Sequence, residues 1–225
     1  PLRDVYKRQT MQLPEGWTGD PNADPNVILG TVMAEAATFS SGLGIYYEPD
    51  SYLNLVQNTN ATMTTVHPGQ RAPDVPLQKP ATFETTRLQT QTPNTATFYI
   101  VIFAGEVKRT KLALSSFTDA VATLPWLHDE NVPISWLSIF AGPGGPSAYE
   151  TLGGMPFGRV FYDEHLEAHL RYGVATEKGA VVVLRPDGWV GTVVELDGNA
   201  GGKLEEYFGK FLVAATGGGK SGVKL

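Results

Sequence analysis

The sequence predicts an α/β sandwich from residue 97 onward, and three observations carry that prediction. Residues 97–104 and 134–140 are short runs, apolar almost throughout, as strands buried on both faces are. Between and after them lie segments whose apolar residues recur three and four apart, the spacing of a helix with one buried face. Residues 180–185 and 189–196 flank Pro186-Asp187-Gly188, a turn sequence between two strand-forming runs, which reads as a hairpin.

The elements follow in order. The first strand, residues 97–104, stops at Gly105. Residues 115–124 suit a helix, with Ser115 or Ser116 as cap and Phe117, Val121 and Leu124 on one face. Residues 134–140 form the second strand, followed by a Gly/Pro-rich loop over 141–156. Residues 159–162 read as a short extended piece, and Asp163 is placed to cap a helix over 164–172. The hairpin adds an antiparallel edge, and residues 204–214 close as an amphipathic helix before a tail predicted to be disordered. The order β-α-β-α-β-β-α is that of a thioredoxin-like sandwich.

Upstream, Asp24-Pro25 followed by Val27, Ile28, Thr31, Val32, Ala36 and Phe39 reads as a helix ended at Ser40-Ser41-Gly42. Residues 43–55 carry Ile45, Tyr46, Tyr47, Tyr52 and Leu53 without a clear period, and residues 56–97 are rich in Thr, Gln, Asn and Pro. Within them, His67-Pro68-Gly69-Gln70-Arg71-Ala72-Pro73-Asp74 is extended and broken by proline, as an interdomain boundary is. Four segments are therefore expected. Residues 1–10, which lack an initiator Met and the apolar centre of a signal peptide, are a non-native leader. Residues 11–66 are the N-terminal helical remnant of a preceding flavin/substrate domain with its linker, 67–215 the sandwich, and 216–225 a disordered tail.

Composition narrows the function classes. A hydrophobic fraction of 42% in 225 residues supports a core without metal or disulfide staples. With 17 basic against 23 acidic residues and a net charge of −6, nucleic acid is not the expected partner. The basic runs near Lys108–Lys111 and Lys220–Lys224 are short and far apart. No apolar run approaches the roughly 18 residues that span a bilayer, so no membrane partner is expected. The absence of cysteine removes thiolate catalysis, disulfides and Cys-based metal sites, and suits a cytoplasmic protein.

Four strings carry a family resemblance. Pro68-Gly69-Gln70-Arg71-Ala72-Pro73-Asp74 resembles the lead-in segment shared by peroxiredoxin-like domains and the C-terminal domains of phenol hydroxylases. Phe98-Tyr99-Ile100-Val101-Ile102-Phe103-Ala104-Gly105 resembles the first core strand of the latter, and Val181-Val182-Val183-Leu184-Arg185-Pro186-Asp187-Gly188-Trp189-Val190-Gly191 their hairpin. Phe39-Ser40-Ser41-Gly42-Leu43-Gly44-Ile45-Tyr46-Tyr47 resembles the end of their flavin-bearing part. The resemblance implies a parent enzyme that binds FAD, uses NADPH and hydroxylates phenols. It also implies a C-terminal domain of thioredoxin-like fold, without redox cysteines, associated with dimer contacts. The implied partners are the upstream flavin domain of the same polypeptide and a second copy of the chain. No G-x-G-x-x-G unit lies between a strand and a helix here, so no cofactor-binding, metal or catalytic residue is assigned to this chain. A standalone thioredoxin-like protein-binding module is the alternative; a thiol redox enzyme is excluded.

The remaining candidates each have a plainer reading. In Gly142-Pro143-Gly144-Gly145-Pro146 two prolines remove backbone donors that a phosphate cradle needs, so a surface loop is expected. His165 and His169 are four apart, with Glu167 between them and no third ligand in view; a solvated helix face is expected. Arg185, Pro186, Asp187 and Gly188 are read as a structural turn, although Arg185 has the chemistry to meet an anion. Trp126, Trp136, Trp189 and Tyr207 fit either core or interface.

Overall fold

The computed structural model describes residues 65–124, 126, 132–144 and 157–210, with 24, 27, 30, 33, 36, 37, 42 and 44–48 upstream. The chain divides into two units, one running to Ile45 and one from Tyr46. In the first, Val27, Gly30, Met33, Ala36 and Ala37 are helical, and the Val27 N–H donates to the Asp24 carbonyl at 2.9 Å. Val27, placed on the apolar stripe by the sequence, is exposed. Ile28, Thr31, Val32 and Phe39, the leader and the tail from 211 lie outside the described residues.

The second unit is built on a sheet of seven described strands. These are β1 (Pro76–Gln78), β2 (Thr85–Arg87), β3 (Phe98–Gly105), β4 (Ile134–Ala141), β5 (Arg159–Asp163), β6 (Ala180–Leu184) and β7 (Val190–Glu195), in spatial order β2-β1-β5-β4-β3-β6-β7. β3, β4 and β5 run parallel, and β6 lies antiparallel to both β3 and β7. The helices are α1 (Leu88–Gln91), α2 (Val107–Ala122), α3 (Glu167–Tyr172) and α4 (Ala200–Phe208). The core of the sheet, β4-β3-β6-β7, with α2 joining β3 to β4 and α4 following β7, is the thioredoxin-like sandwich.

The central strand shows why its sequence lacks alternation. Ile100, Ile102 and Ala104 point to one cluster, with Leu114, Phe117 and Val121 of α2 and Leu204 and Phe208 of α4. Tyr99, Val101 and Phe103 point to the other, with Leu77, Leu137, Ala168 and Tyr172. Successive side chains alternate faces, and both faces are covered.

Three expectations need correction. The helix predicted over residues 115–124 starts at Val107, because Val107, Thr110 and Leu114 extend its buried stripe by two turns. Ser115 and Ser116 are therefore exposed mid-helix residues and not caps. The closing helix begins at Ala200 and not at residue 204, and the Thr-, Gln-, Asn- and Pro-rich stretch before residue 97, in which no strand was predicted, holds the β1–β2 hairpin. Among the described residues no helix is long and apolar enough to cross a membrane.

Candidate assembly site

The β3–α2 corner is the first place to look for chemistry, since a helix N-terminus lowers the pKa of a nucleophile placed on it. It carries Glu106, Val107, Lys108, Arg109 and Thr110. The Thr110 hydroxyl is buried and donates to the Ala104 carbonyl at 2.6 Å. Arg109 pairs with Glu106 at 3.2 Å, so part of the basic run near Lys108–Lys111 is an ion-paired helix surface. The corner closes the fold and carries no thiol.

Three of the four strings that carried the resemblance meet at one place. Tyr46 bridges Gln70, and the Tyr47 N–H donates to the Gly69 carbonyl at 2.9 Å. Gly69 and Val190 exchange bonds with this segment in turn: Gly69 N–H to Val190 O at 2.9 Å, and Val190 N–H to Gln70 O at 2.8 Å. The Ala72 N–H reaches the Gly188 carbonyl at 3.0 Å, and Arg71 bridges Trp189. Above this backbone the Arg71 guanidinium lies 5.1 Å from the Trp189 ring centroid, worth about 0.5–1 kcal/mol, and the Tyr47 ring packs on Trp189 at 5.8 Å. Arg71 Nε and Trp189 Nε1 are buried without hydrogen-bond partners. The fourth string is β3 itself.

Arg185, Pro186, Asp187 and Gly188 close the β6–β7 hairpin beside this patch. The Gly188 N–H donates to the Arg185 carbonyl at 2.9 Å, the Arg185 N–H to Trp189 O at 2.8 Å, and the Arg185 guanidinium pairs with Asp187. Burial pushes the nearby Tyr207 phenol up, with Arg185 pulling it down and Asp187 raising it. Gly188 has φ +83, and a Cβ there would meet nothing within 4 Å. Gly188→Val is thus expected to cost about 1–3 kcal/mol through backbone strain alone. Urea unfolding reads this directly, and an unchanged midpoint would refute the assignment.

The β5–α3 corner holds the polar feature that the sequence did not reveal. Asp163 and His169 are 2% and 1% exposed, and His169 Nδ1 donates to Asp163 Oδ2 at 2.7 Å. The same carboxylate accepts the backbone N–H of His169 at 2.8 Å and that of Ala168. Burial raises the Asp163 carboxyl, but these hydrogen bonds and the His169 charge outweigh it and hold the group below its ordinary range. The Phe103 ring stands edge-on to His169 at 5.4 Å, and His169 Nε2 is buried without a partner.

This corrects the reading of the two histidines. His165 is exposed, as expected, while His169 is part of the core. The helix starts at Glu167, not at residue 164, because Leu166 turns the chain in the left-handed region at φ 60. His165 therefore lies in the turn before the helix, and the presumed shared face does not exist. Asp163 still caps the helix from the strand end, bonding N–H groups of its first turn. Among the described residues no group of three His, Cys, Asp or Glu is placed to hold a metal. A cleft of about 70 Å³ opens beside the corner, lined by Gln78, Thr85, Tyr162 and Glu164 among others. Ligand pockets measure about 300–1,000 Å³.

The other candidates resolve simply. Gly142 donates its N–H to the Asp163 carbonyl at 3.0 Å, which removes another donor from the phosphate reading; Gly145 and Pro146 lie outside the described residues. Tyr207 is buried, Trp136 stacks on Phe157 at 5.0 Å and Trp126 packs on Phe208 at 4.9 Å, so these three belong to the core. Trp189 belongs to the patch with Arg71.

Residues 139–216 match the family model described as phenol hydroxylase, C-terminal dimerisation domain. The resemblance drawn from the sequence therefore stands. The chain is also 25% identical over 180 residues to the FAD-dependent monooxygenase ankC of Aspergillus thermomutatus, covering 71% of this chain. It spans 30% of the length of that curated relative. Among solved structures, peroxidoxin BcpB of Mycobacterium tuberculosis is matched with a TM-score of 0.45 at 15% identity, over 65% of this chain and 97% of that one. A protein described as a thiol:disulfide interchange protein, DsbE, of Chlorobium tepidum is matched with a TM-score of 0.48 at 15% identity, over 65% and 98%.

Proposed function

We propose, taking the match over residues 139–216 as premise, that this chain is the packing and dimerisation domain of a flavoprotein aromatic (phenol) monooxygenase and is itself not catalytic. That match is the observation that carries the reading. The β3–α2 corner supports it: the position where a helix N-terminus would activate a thiol holds Glu106, Val107, Lys108 and Arg109. FAD and NADPH then belong to the parent enzyme, bound by a flavin domain upstream in the same polypeptide. Residues 11–66 are the remnant and linker of that domain, and residues 67–215 are the dimerisation domain. Tyr46 and Tyr47, which end the flavin-side string, pair with Gln70 and Gly69 inside the second unit. A chain without cysteine suits a reducing cytoplasm.

Light scattering with absorbance detection tests the reading. The purified chain is expected to run as a dimer, to carry no flavin absorbance and to oxidise no NADPH in the presence of phenols. A monomer at millimolar concentration would sink the dimerisation role. Stoichiometric bound FAD would sink the assignment of the flavin to the upstream part.

A further inference from the structure

We infer that the self-contact of this domain is the outer face of α3, two copies packing antiparallel about a two-fold axis, with Leu166 of each against the partner's Leu170. The inference rests on the dimerisation reading above and names its surface.

The first observation is exposure. Leu166 and Leu170 are 40% and 79% exposed, Leu166 in the turn that leads into α3 and Leu170 one turn into it, the Leu170 N–H donating to the Leu166 carbonyl at 2.9 Å. Leu112, also exposed, is a single leucine on α2, and scattered single leucines are normal.

The second is conformation. Leu166 is a non-glycine residue held in the left-handed region, with its large apolar side chain turned partly to solvent. Such strain persists only where the surroundings enforce it. Here the Asp163 carboxylate enforces it, gripping the N–H groups of Ala168 and His169 and the His169 ring from inside. A helix of six residues has no stability of its own. The buried pair and Tyr172, whose hydroxyl donates to the Pro73 carbonyl at 2.8 Å, hold it rigid and so lower the ordering cost of docking.

The third is charge. Glu167 and Arg171 flank the leucines at opposite ends of α3, both exposed, and neither side chain forms an ion pair with a described residue. A two-fold contact is self-complementary, so what one copy offers the other must accept. Antiparallel pairing brings Glu167 of each copy near the partner's Arg171. Leu166 against Leu170 centres the two-fold axis on residue 168 and leaves Glu167 two residues short of Arg171, about 3 Å along the helix, a distance that the long Arg171 side chain spans. The face lies within the residues matched to the dimerisation domain.

Sedimentation equilibrium of the full chain and its variants tests this, with circular dichroism melts checking that each variant folds. Leu170→Glu, at a side chain that is mostly solvent-exposed in one copy, is expected to raise the dimer Kd at least about 100-fold, because each substitution acts twice in a two-fold contact. Glu167→Arg and Arg171→Glu are each expected to weaken the dimer about tenfold, and the double swap to restore it to within a few-fold. Leu166→Gly is expected to raise the melting temperature by relieving the left-handed strain while weakening the dimer, a split that a merely structural residue would not give. A dimeric wild type whose Kd is unmoved by Leu170→Glu, or a double swap no better than the single variants, overturns this surface and leaves the dimerisation reading standing. A monomeric wild type overturns both.

Discussion

Asp163→Ala is expected to lower the unfolding free energy by about 3–5 kcal/mol, the cost of removing a buried carboxylate and leaving its donors without an acceptor. The carboxylate is 2% exposed and accepts from three donors at once, the His169 ring and the backbone N–H groups of His169 and Ala168. Without it the His169 ring faces Phe103 with neither nitrogen bonded, and the first turn of α3 loses its acceptor. Asp163→Asn keeps one acceptor oxygen in nearly the same volume and is expected to cost less. The pH dependence separates charge from shape. The carboxyl sits below its ordinary 3.8 in the folded chain, so its contribution is complete above about pH 4 and is lost as pH falls through the folded value. Urea midpoints between pH 5 and pH 2 are expected to fall more steeply for the wild type than for Asp163→Asn. Parallel curves would show that the ionised carboxylate adds no stability.

The same corner shows where sequence stops being informative. Asp163 was readable as a cap because it follows an apolar extended run, and it does bond N–H groups of the first turn of α3. The helix phase was not readable. It depends on Leu166 taking a left-handed turn, which leucine by itself disfavours and only the tertiary grip of Asp163 imposes. Moving the start from residue 164 to Glu167 is enough to send His169 into the core and leave His165 outside. The central strands were legible for the opposite reason: runs such as residues 98–105 are apolar on both faces because the sheet is covered on both faces. α2 was legible only from Ser115 because its first turns carry Lys108, Arg109 and Lys111 around a stripe of Val107 and the polar Thr110. β1 and β2 have three residues each, too few to show a period. The strings around Tyr46, Gln70 and Trp189 were each recognisable, but nothing local says that they hydrogen-bond to one another. That pairing is a long-range fact, and it is what turns separate family marks into one patch.

Gly105→Ala is the second large effect, with an expected cost of about 3–5 kcal/mol from left-handed strain and overpacking together. Gly105 ends β3 at φ +65, and a Cβ there would stand 2.1 Å from the Thr176 carbonyl oxygen and 3.1 Å from the Thr110 methyl. Neither neighbour is free to retreat. Thr176 O receives the Glu106 N–H at 2.7 Å, and the Thr110 hydroxyl is committed to Ala104 O. Gly188→Ala is the internal control, since Gly188 also has positive φ but faces open space. Its expected cost is about 1–2 kcal/mol, the conformational part alone. The difference between the two variants in urea unfolding measures how tightly the β3–α2 corner is closed. Equal costs would mean that Thr176 moves aside and the corner is soft. A clear excess at Gly105 would show that the turn from β3 into α2 is closed by backbone packing against Thr176.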